Sequence, residues 1–371
     1  MEGYKLYFTK KMGMNSIAEE LGLTLAKFRK RLRDAYKNNS IIIVPPEEHQ
    51  RVEQLKNNWG DDIKYRVLVA QGEHFFSSAA NVFFEELNQV LEIRSQSDKD
   101  RPLRIGVVSG NTSGGMIEAI CNIKSSWSKY LRLDLLPPEI FVYSLNVSQT
   151  VGYNQLKGNS NILAYQLAHR FLLETKQKKV EAYGLSATLL QTKEESQRCD
   201  CKKETKAILR QTDPARLKQS LESQNKKYID LPNKSQLDFV ITGVGSFEDS
   251  LFRTYSDAYT LDIEHLKKQR VVGDIAYCPL DRTGNLQTLL DENGKESEFY
   301  RAISLNVLQE ISADPAKKVI VVARDTIKAD IIHAVIYRGN KPGPYCNVLI
   351  TDEPTAMQLL IQYGKLPSRI Q

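Results

Sequence analysis

The sequence predicts an α/β protein: an N-terminal helix-turn-helix domain followed by a largely parallel, Rossmann-like sheet domain. Three observations carry that expectation. Positive charge gathers at the start, where residues 1–46 hold nine Lys and Arg against four Asp and Glu, a surplus of five out of a net +6 for the chain. Within that stretch, two short runs of helical periodicity flank Gly22. From Tyr65 onward, short Val- and Ile-rich runs alternate with helical patterns, the grammar of a parallel sheet with crossover helices. A chain of 371 residues, 41% hydrophobic and 26% charged, suits an ordinary globular protein of two or three domains.

The first domain is expected over residues 1–46. Ile17 and Leu21 mark one helix, Gly22 ends it, and Thr24 is a good N-cap for the next. In that second helix Leu25, Phe28, Leu32 and Tyr36 share one side, while Ala26, Lys27, Lys30, Arg31 and Lys37 fall mainly on the other. Ala18 is small where the two helices must cross. A helix-turn-helix inserts the start of its second helix into the major groove of DNA. Thr24, Lys27, Lys30, Arg31 and Lys37 are therefore the candidate DNA contacts, and double-stranded DNA is the expected partner. Ser40 to Val44 reads as a short strand stopped by Pro45 and Pro46. Residues 47–64 follow as a linker helix carrying Val52, Leu55 and Trp59, which could also serve a dimer contact.

The sheet domain is expected over 65–371. Its strands read as residues 67–70, 103–110, 140–146, 238–246, 317–325 and 347–352. Residues 191–236 are polar, charge-dense and poor in apolar periodicity, and read as a surface insertion. In parallel sheets ligands bind beyond the carboxyl ends of the strands, and here those ends gather polar and glycine residues. The run Gly110-Asn111-Thr112-Ser113-Gly114-Gly115 joins a strand to a helix, where exposed amides suit an anion. It is neither a P-loop nor a dinucleotide fingerprint, and a Gly/Ser turn with no ligand reads equally well. Gly243, Gly245 and Ser246 end a second strand. Arg324 and Lys328, four apart, are placed to project together from the start of one helix.

The stretch VVGDIAYCPLDRTGN (271–285) reads as a strand and a hairpin turn. Gly273 suggests a bulge or a close backbone approach. Asp274 sits where carboxylates are scarce, which points to a ligand or partner nearby. Asp281 and Gly284 suit the turn. The five cysteines and five histidines follow no disulfide or zinc spacing, so neither a metal nor a cofactor is expected. No apolar run reaches the ~18 residues of a membrane span and the first residues carry no signal-peptide core, so the expected location is the cytoplasm.

Taken in order, the motifs resemble the SorC/DeoR-type sugar-binding transcriptional regulators. The resemblance runs through IAEELGLT…FRKRL, IGVVSGNTSGGMIEAI, SLN, DFVITGVGSFEDS, VVGDIAYCPLDRTGN and VIVVARDTIKADIIHAVIYRG…NVLITDEPTAMQLL. It implies a helix-turn-helix, a linker, and an effector domain related to isomerase, deaminase and CoA-transferase folds. It also implies a phosphorylated sugar effector and assembly as a homodimer or homotetramer. On this chain the resemblance puts a phosphate cradle at Gly110, Asn111, Thr112 and Ser113, with Lys328 as counter-charge. Asn146 then joins the site, Gly243, Gly245 and Ser246 line its floor, and Asp274 faces the sugar or braces the loop around it. Three departures stand out. Asn111 replaces an arginine frequent in the family, Val147-Ser148 replace a Gly-Gly, and Arg324-Asp325 replace another Gly-Gly, with Arg324 supplying positive charge. The expected function is thus an effector-controlled DNA-binding regulator and not an enzyme. The alternatives are a ligand-independent DNA-binding regulator or, less favoured, an isomerase- or deaminase-type enzyme, for which Asp274 lacks a paired histidine.

Overall fold

A computed structural model of the chain describes residues 14–30, 52–55, 66–70, 74–146, 158–175, 178–184, 236–248, 262–290, 293–294, 296, 303–336 and 343–363. The chain divides into two compact units, Met1–Glu47 and Glu48–Gln371.

In the first unit, α1 (Met14–Glu20) ends as its glycine demands. Gly22 takes φ +63°, the Gly22 N–H bonds the Glu19 carbonyl at 2.9 Å and the Leu23 N–H bonds the Ala18 carbonyl at 2.7 Å. This is a Schellman closure, which only a residue free to adopt left-handed backbone makes without strain. A second helical run over 25–30 follows at once, with the Thr24 hydroxyl accepting the Lys27 N–H at 3.3 Å, the N-cap expected of it. Ala18 and Phe28 bury each other, with Leu21 and Leu23 around them. Lys27 and Lys30 are exposed. Arg31, Lys37 and the strand expected at 40–44 lie outside the described residues.

The second unit is built on a seven-stranded sheet whose neighbours are all parallel. Its strands are β1 (Arg66–Ala70), β2 (Leu103–Val107), β3 (Glu139–Ser144), β4 (Lys179–Tyr183), β5 (Phe239–Thr242), β9 (Lys318–Val322) and β10 (Val348–Asp352), in the order β1-β10-β9-β5-β2-β3-β4. One face packs α2 (Phe75–Ser97), α3 (Asn111–Cys121) and α4 (Ser160–Thr175) on Ile105, Val107, Val142, Ile241 and Ile350. The other packs α6 (Leu305–Ala313), α7 (Ala329–Ile336) and α8 (Glu353–Tyr363) on Val240, Val319, Val321 and Leu349. Val52 and Leu55, from the stretch expected to be linker, are buried in this second core. At the amino ends of the strands, Asp238 pairs with Arg94 at 2.6 Å and with Arg101, tying α2 to the bases of β2 and β5.

A smaller antiparallel sheet, β6 (Val244–Ser246), β7 (Val271–Ile275) and β8 (Cys278–Asp281), adjoins α5 (Ile263–Lys268). It corrects two expectations. The run 238–246 is two strands, because the chain leaves the large sheet at Gly243 and pairs β6 with β7 instead. The stretch 271–285 holds two hairpin turns and not one: an unexpected turn at Ala276-Tyr277, both with φ > 0 (50° and 63°), and the expected turn at Asp281–Gly284, where Gly284 takes φ 76° and Leu280 pairs antiparallel with Leu286. Asp281 closes that second turn as expected, accepting from Thr283 and Asn285 backbone N–H groups at 2.9 Å each. The edge strand β4 was not expected: in KVEAY, two charges and a single valine hide it.

Candidate effector site

The sheet has one reversal of direction. From β2 the chain moves through α3 to β3 and through α4 to β4. It re-enters on the far side of β2 at β5, then continues to β9 and β10. The carboxyl ends of β2 and β5 therefore flank a switch point, the place where open α/β sheets form a crevice.

The residues expected to form a cradle stand there. Gly110 precedes α3 with φ 155° and ψ 149°, a region that glycine enters readily. Its N–H bonds the Gly158 carbonyl at 3.0 Å. Asn111 is exposed and opens the helix, while Thr112 and Ser113 are buried. The Ser113 hydroxyl bonds the carbonyls of Val108 (3.1 Å) and Gly110 (3.0 Å), so it holds the loop's shape. Across the switch point, a Cβ added at Gly243 would lie 3.6 Å from the Val322 carbonyl and 4.0 Å from the Ser113 nitrogen. The ends of β5 and β9 and the start of α3 are thus brought together.

Asn146, at the end of β3, is fully buried. Its side-chain oxygen accepts the Ser109 N–H at 2.8 Å and its amide donates to Ser109 Oγ at 2.5 Å. Ser109 Oγ lies 3.0 Å from the Tyr277 hydroxyl. The backbone carbonyl of Asn146 accepts from Ser144 and Ser160 hydroxyls at 3.1 and 2.7 Å. Ser109, Ser160 and Tyr277 were not expected to contribute. Ser109 was visible as the residue before Gly110, whereas Tyr277 was read as an ordinary strand aromatic.

Asp274 is buried, and its carboxylate accepts the Tyr277 N–H at 3.1 Å, bracing the positive-φ turn. Burial pushes its carboxyl up to about 7, against the lowering pull of that hydrogen bond and of the Lys328 charge. Gly245 and Ser246 pair in register with Asp274 and Gly273. The space that Gly273 leaves is filled by the protein itself: a Cβ there would collide with the Gly245 carbonyl and lie 2.9 Å from Ile331 Cβ. The strand is also bulged between Val271 and Gly273.

Arg324 and Lys328 are not successive turns of one helix. Asp325 adopts φ 100° and caps the Ile327 N–H at 3.3 Å, a 3₁₀ turn spans Thr326–Lys328, and α7 begins only at Ala329. Lys328 is the cation whose charge reaches Asp274. The Arg324 guanidinium instead lies over Phe76 at 4.8 Å and Phe75 at 5.8 Å. Among the described residues no group of His, Cys, Asp and Glu could hold a metal ion, and no helix is long and apolar enough to cross a membrane.

Residues 194–361 match the family model described as "Putative sugar-binding domain". Over those residues the chain is similar to that domain. Among the solved structures that share this fold are two regulators. The full-length sorbitol operon regulator SorC from Klebsiella pneumoniae has 17% identity and a TM-score of 0.53, with 97% of each chain covered. The probable sor operon regulator from Shigella flexneri has 19% identity and a TM-score of 0.51, covering 84% of this chain and 98% of its own. No curated protein matches the chain. The matched region begins at residue 194 and so includes most of the stretch expected to be an insertion.

Proposed function

We propose that the chain is a DNA-binding transcription regulator whose hold on an operator is set by a small phosphorylated sugar bound in the switch-point crevice. The observation that carries the ligand half is the convergence of α3's first amides, the Gly243 backbone and the Asn146–Ser109–Tyr277 chain at one place. Backbone N–H groups at a helix start favour an anion, and buried hydroxyl and amide groups favour a polyol. Thr112 with Gly110, Asn111 and Ser113 would receive the phosphate, and Lys328 would supply its counter-charge. Gly243, Gly245, Ser246 and Asp274 would form the floor. Arg324 would reach a phosphate from its aromatic seat.

The DNA half rests on the capped second helix of the first unit, with Thr24 at its start and Lys27 and Lys30 exposed. Arg31 and Lys37 extend the same basic face in sequence. A homodimer or homotetramer acting in the cytoplasm fits such a regulator, and a catalytic role does not, since Asp274 is committed to its own turn.

Fluorescence anisotropy on DNA flanking the chain's own gene, at two salt concentrations and with a panel of sugar phosphates, tests this. Selective binding that weakens steeply with salt, and that shifts with one ester, is the expected outcome. Selective binding indifferent to every ester would leave a ligand-independent regulator. Absence of selective binding would remove the regulator reading.

A further inference from the structure

We infer that Tyr277 reads the sugar, and that contact with its hydroxyl is how occupancy of the crevice reaches the small sheet. This rests on the sugar-responsive reading above. Tyr277 belongs to two places at once. Its ring is buried in the small sheet's own core with Leu266, Val271 and Leu289, while its hydroxyl stands 3.0 Å from Ser109 Oγ at the end of β2. Ser109 in turn is fixed by both side-chain atoms of Asn146 at the end of β3. One side chain therefore joins the hairpin to two strand ends of the large sheet, beside the start of α3.

The backbone that puts it there is costly. Ala276 and Tyr277 both hold φ > 0, positions that Asn-Gly would occupy with little strain. The chain keeps a tyrosine at the second position, and the Asp274 carboxylate holds its N–H. Non-glycine residues kept in such a conformation need surroundings that over-determine them, and they gather at ligand clamps. A Gly in place of Tyr277 would relax the turn and forfeit the hydroxyl. The Ser109–Tyr277 pair can donate in either direction, which suits a sugar hydroxyl, itself both donor and acceptor. A ligand bridging this pair and the α3 amides would tighten or part the hairpin from β2. Its chemical class is a polyhydroxylated compound with a phosphate at one end.

The test is isothermal titration of the full chain, as wild type, Tyr277→Phe and Ser109→Ala. The probes are fructose 1-phosphate, fructose 6-phosphate, glucose 6-phosphate and ribose 5-phosphate, with inorganic phosphate as the bare anion. Hydrogen exchange of residues 271–281 is followed with and without the best-bound ester. Tyr277→Phe keeps the ring and the turn, and is expected to weaken that ester about tenfold, the worth of one lost hydrogen bond. Inorganic phosphate should change less than twofold, Ser109→Ala should act in the same direction, and the ester should alter exchange at 271–281 in wild type but not in Tyr277→Phe. Equal losses for ester and bare phosphate, or an ester affinity untouched by Tyr277→Phe, would overturn the role of Tyr277 and leave the regulator standing. Wild-type protein that binds none of the esters would remove both the role of Tyr277 and the phosphorylated effector, leaving only a ligand-independent regulator.

Discussion

Asp274 shows how a single carboxyl can make this fold sensitive to pH. Burial holds it near pKa 7, well above its unfolded value of about 3.9. A folded pKa raised in this way adds stability that is fully present below the unfolded value and is lost as pH rises through 7. Urea midpoints should therefore decline from about pH 4 to 7 and level off above, by an amount on the order of a few kcal/mol in stability. Asp274→Asn, which keeps an acceptor for the Tyr277 N–H, should flatten that decline, and an unchanged slope would show that Asp274 does not titrate there. His333 works in the opposite sense. It is buried against Tyr363 with ring centroids 3.7 Å apart, and burial drives its pKa down to about 4. Its contribution is present above the unfolded value of about 6.5 and is lost as pH falls towards 4. At this scale the sequence was partly legible. Asp274 stood out because strands seldom carry a carboxylate, but its partner, the Tyr277 N–H, depends on a turn that no local signal announced. Gly273 was rightly suspected of close approach, yet the atoms that approach are Gly245 and Ile331 of the same chain.

Among the elements, the turn between the two helical runs of the first unit invites the sharpest test. Gly22 alone permits the left-handed closure between Ala18 and Leu23. Gly22→Ala leaves the site sterically open, since nothing lies within 4 Å of the added Cβ, but imposes the backbone penalty of about 1–2 kcal/mol. The expected result is loss of selective DNA binding in an anisotropy titration, with affinity for ligand unchanged. The turn itself was legible, because Gly22, Thr24 and the Ala18–Phe28 contact each leave a mark in sequence, while the expected second helix beyond residue 30 lies outside the described residues. Strands with Val or Ile at alternate positions were likewise plain. The charged edge strand β4 was not, and neither was the division of 238–246, because Gly243 breaks a run that otherwise reads as continuous. The 3₁₀ turn before α7 hid for a related reason: Asp325 adopts a backbone that few non-glycine residues take, and spacing alone suggested a helical pair.

For the whole molecule, the strand bases and the strand tips have different tasks. At the bases, Asp238 is buried beneath Arg94 and Arg101 and also accepts the Arg104 N–H at 2.9 Å. Asp238→Ala would leave Arg94 buried without its counter-charge and should cost about 3–5 kcal/mol, read as a lower urea midpoint. A loss below 1 kcal/mol would mean that water reaches this hub. The tips carry the proposed site, whose parts come from residues 110–113, 146, 243, 274–277 and 328, far apart along the chain. Pairing of β1 with β10 adds a timing consequence. The segment that follows the first unit, Arg66–Ala70, finds its partner only in Val348–Asp352, nearly the last strand to be made. Loop closure over so long a stretch is slow. On the ribosome, the basic first unit can fold while the sheet of the second still lacks an edge, so under the proposed function a nascent chain would bind before it could respond.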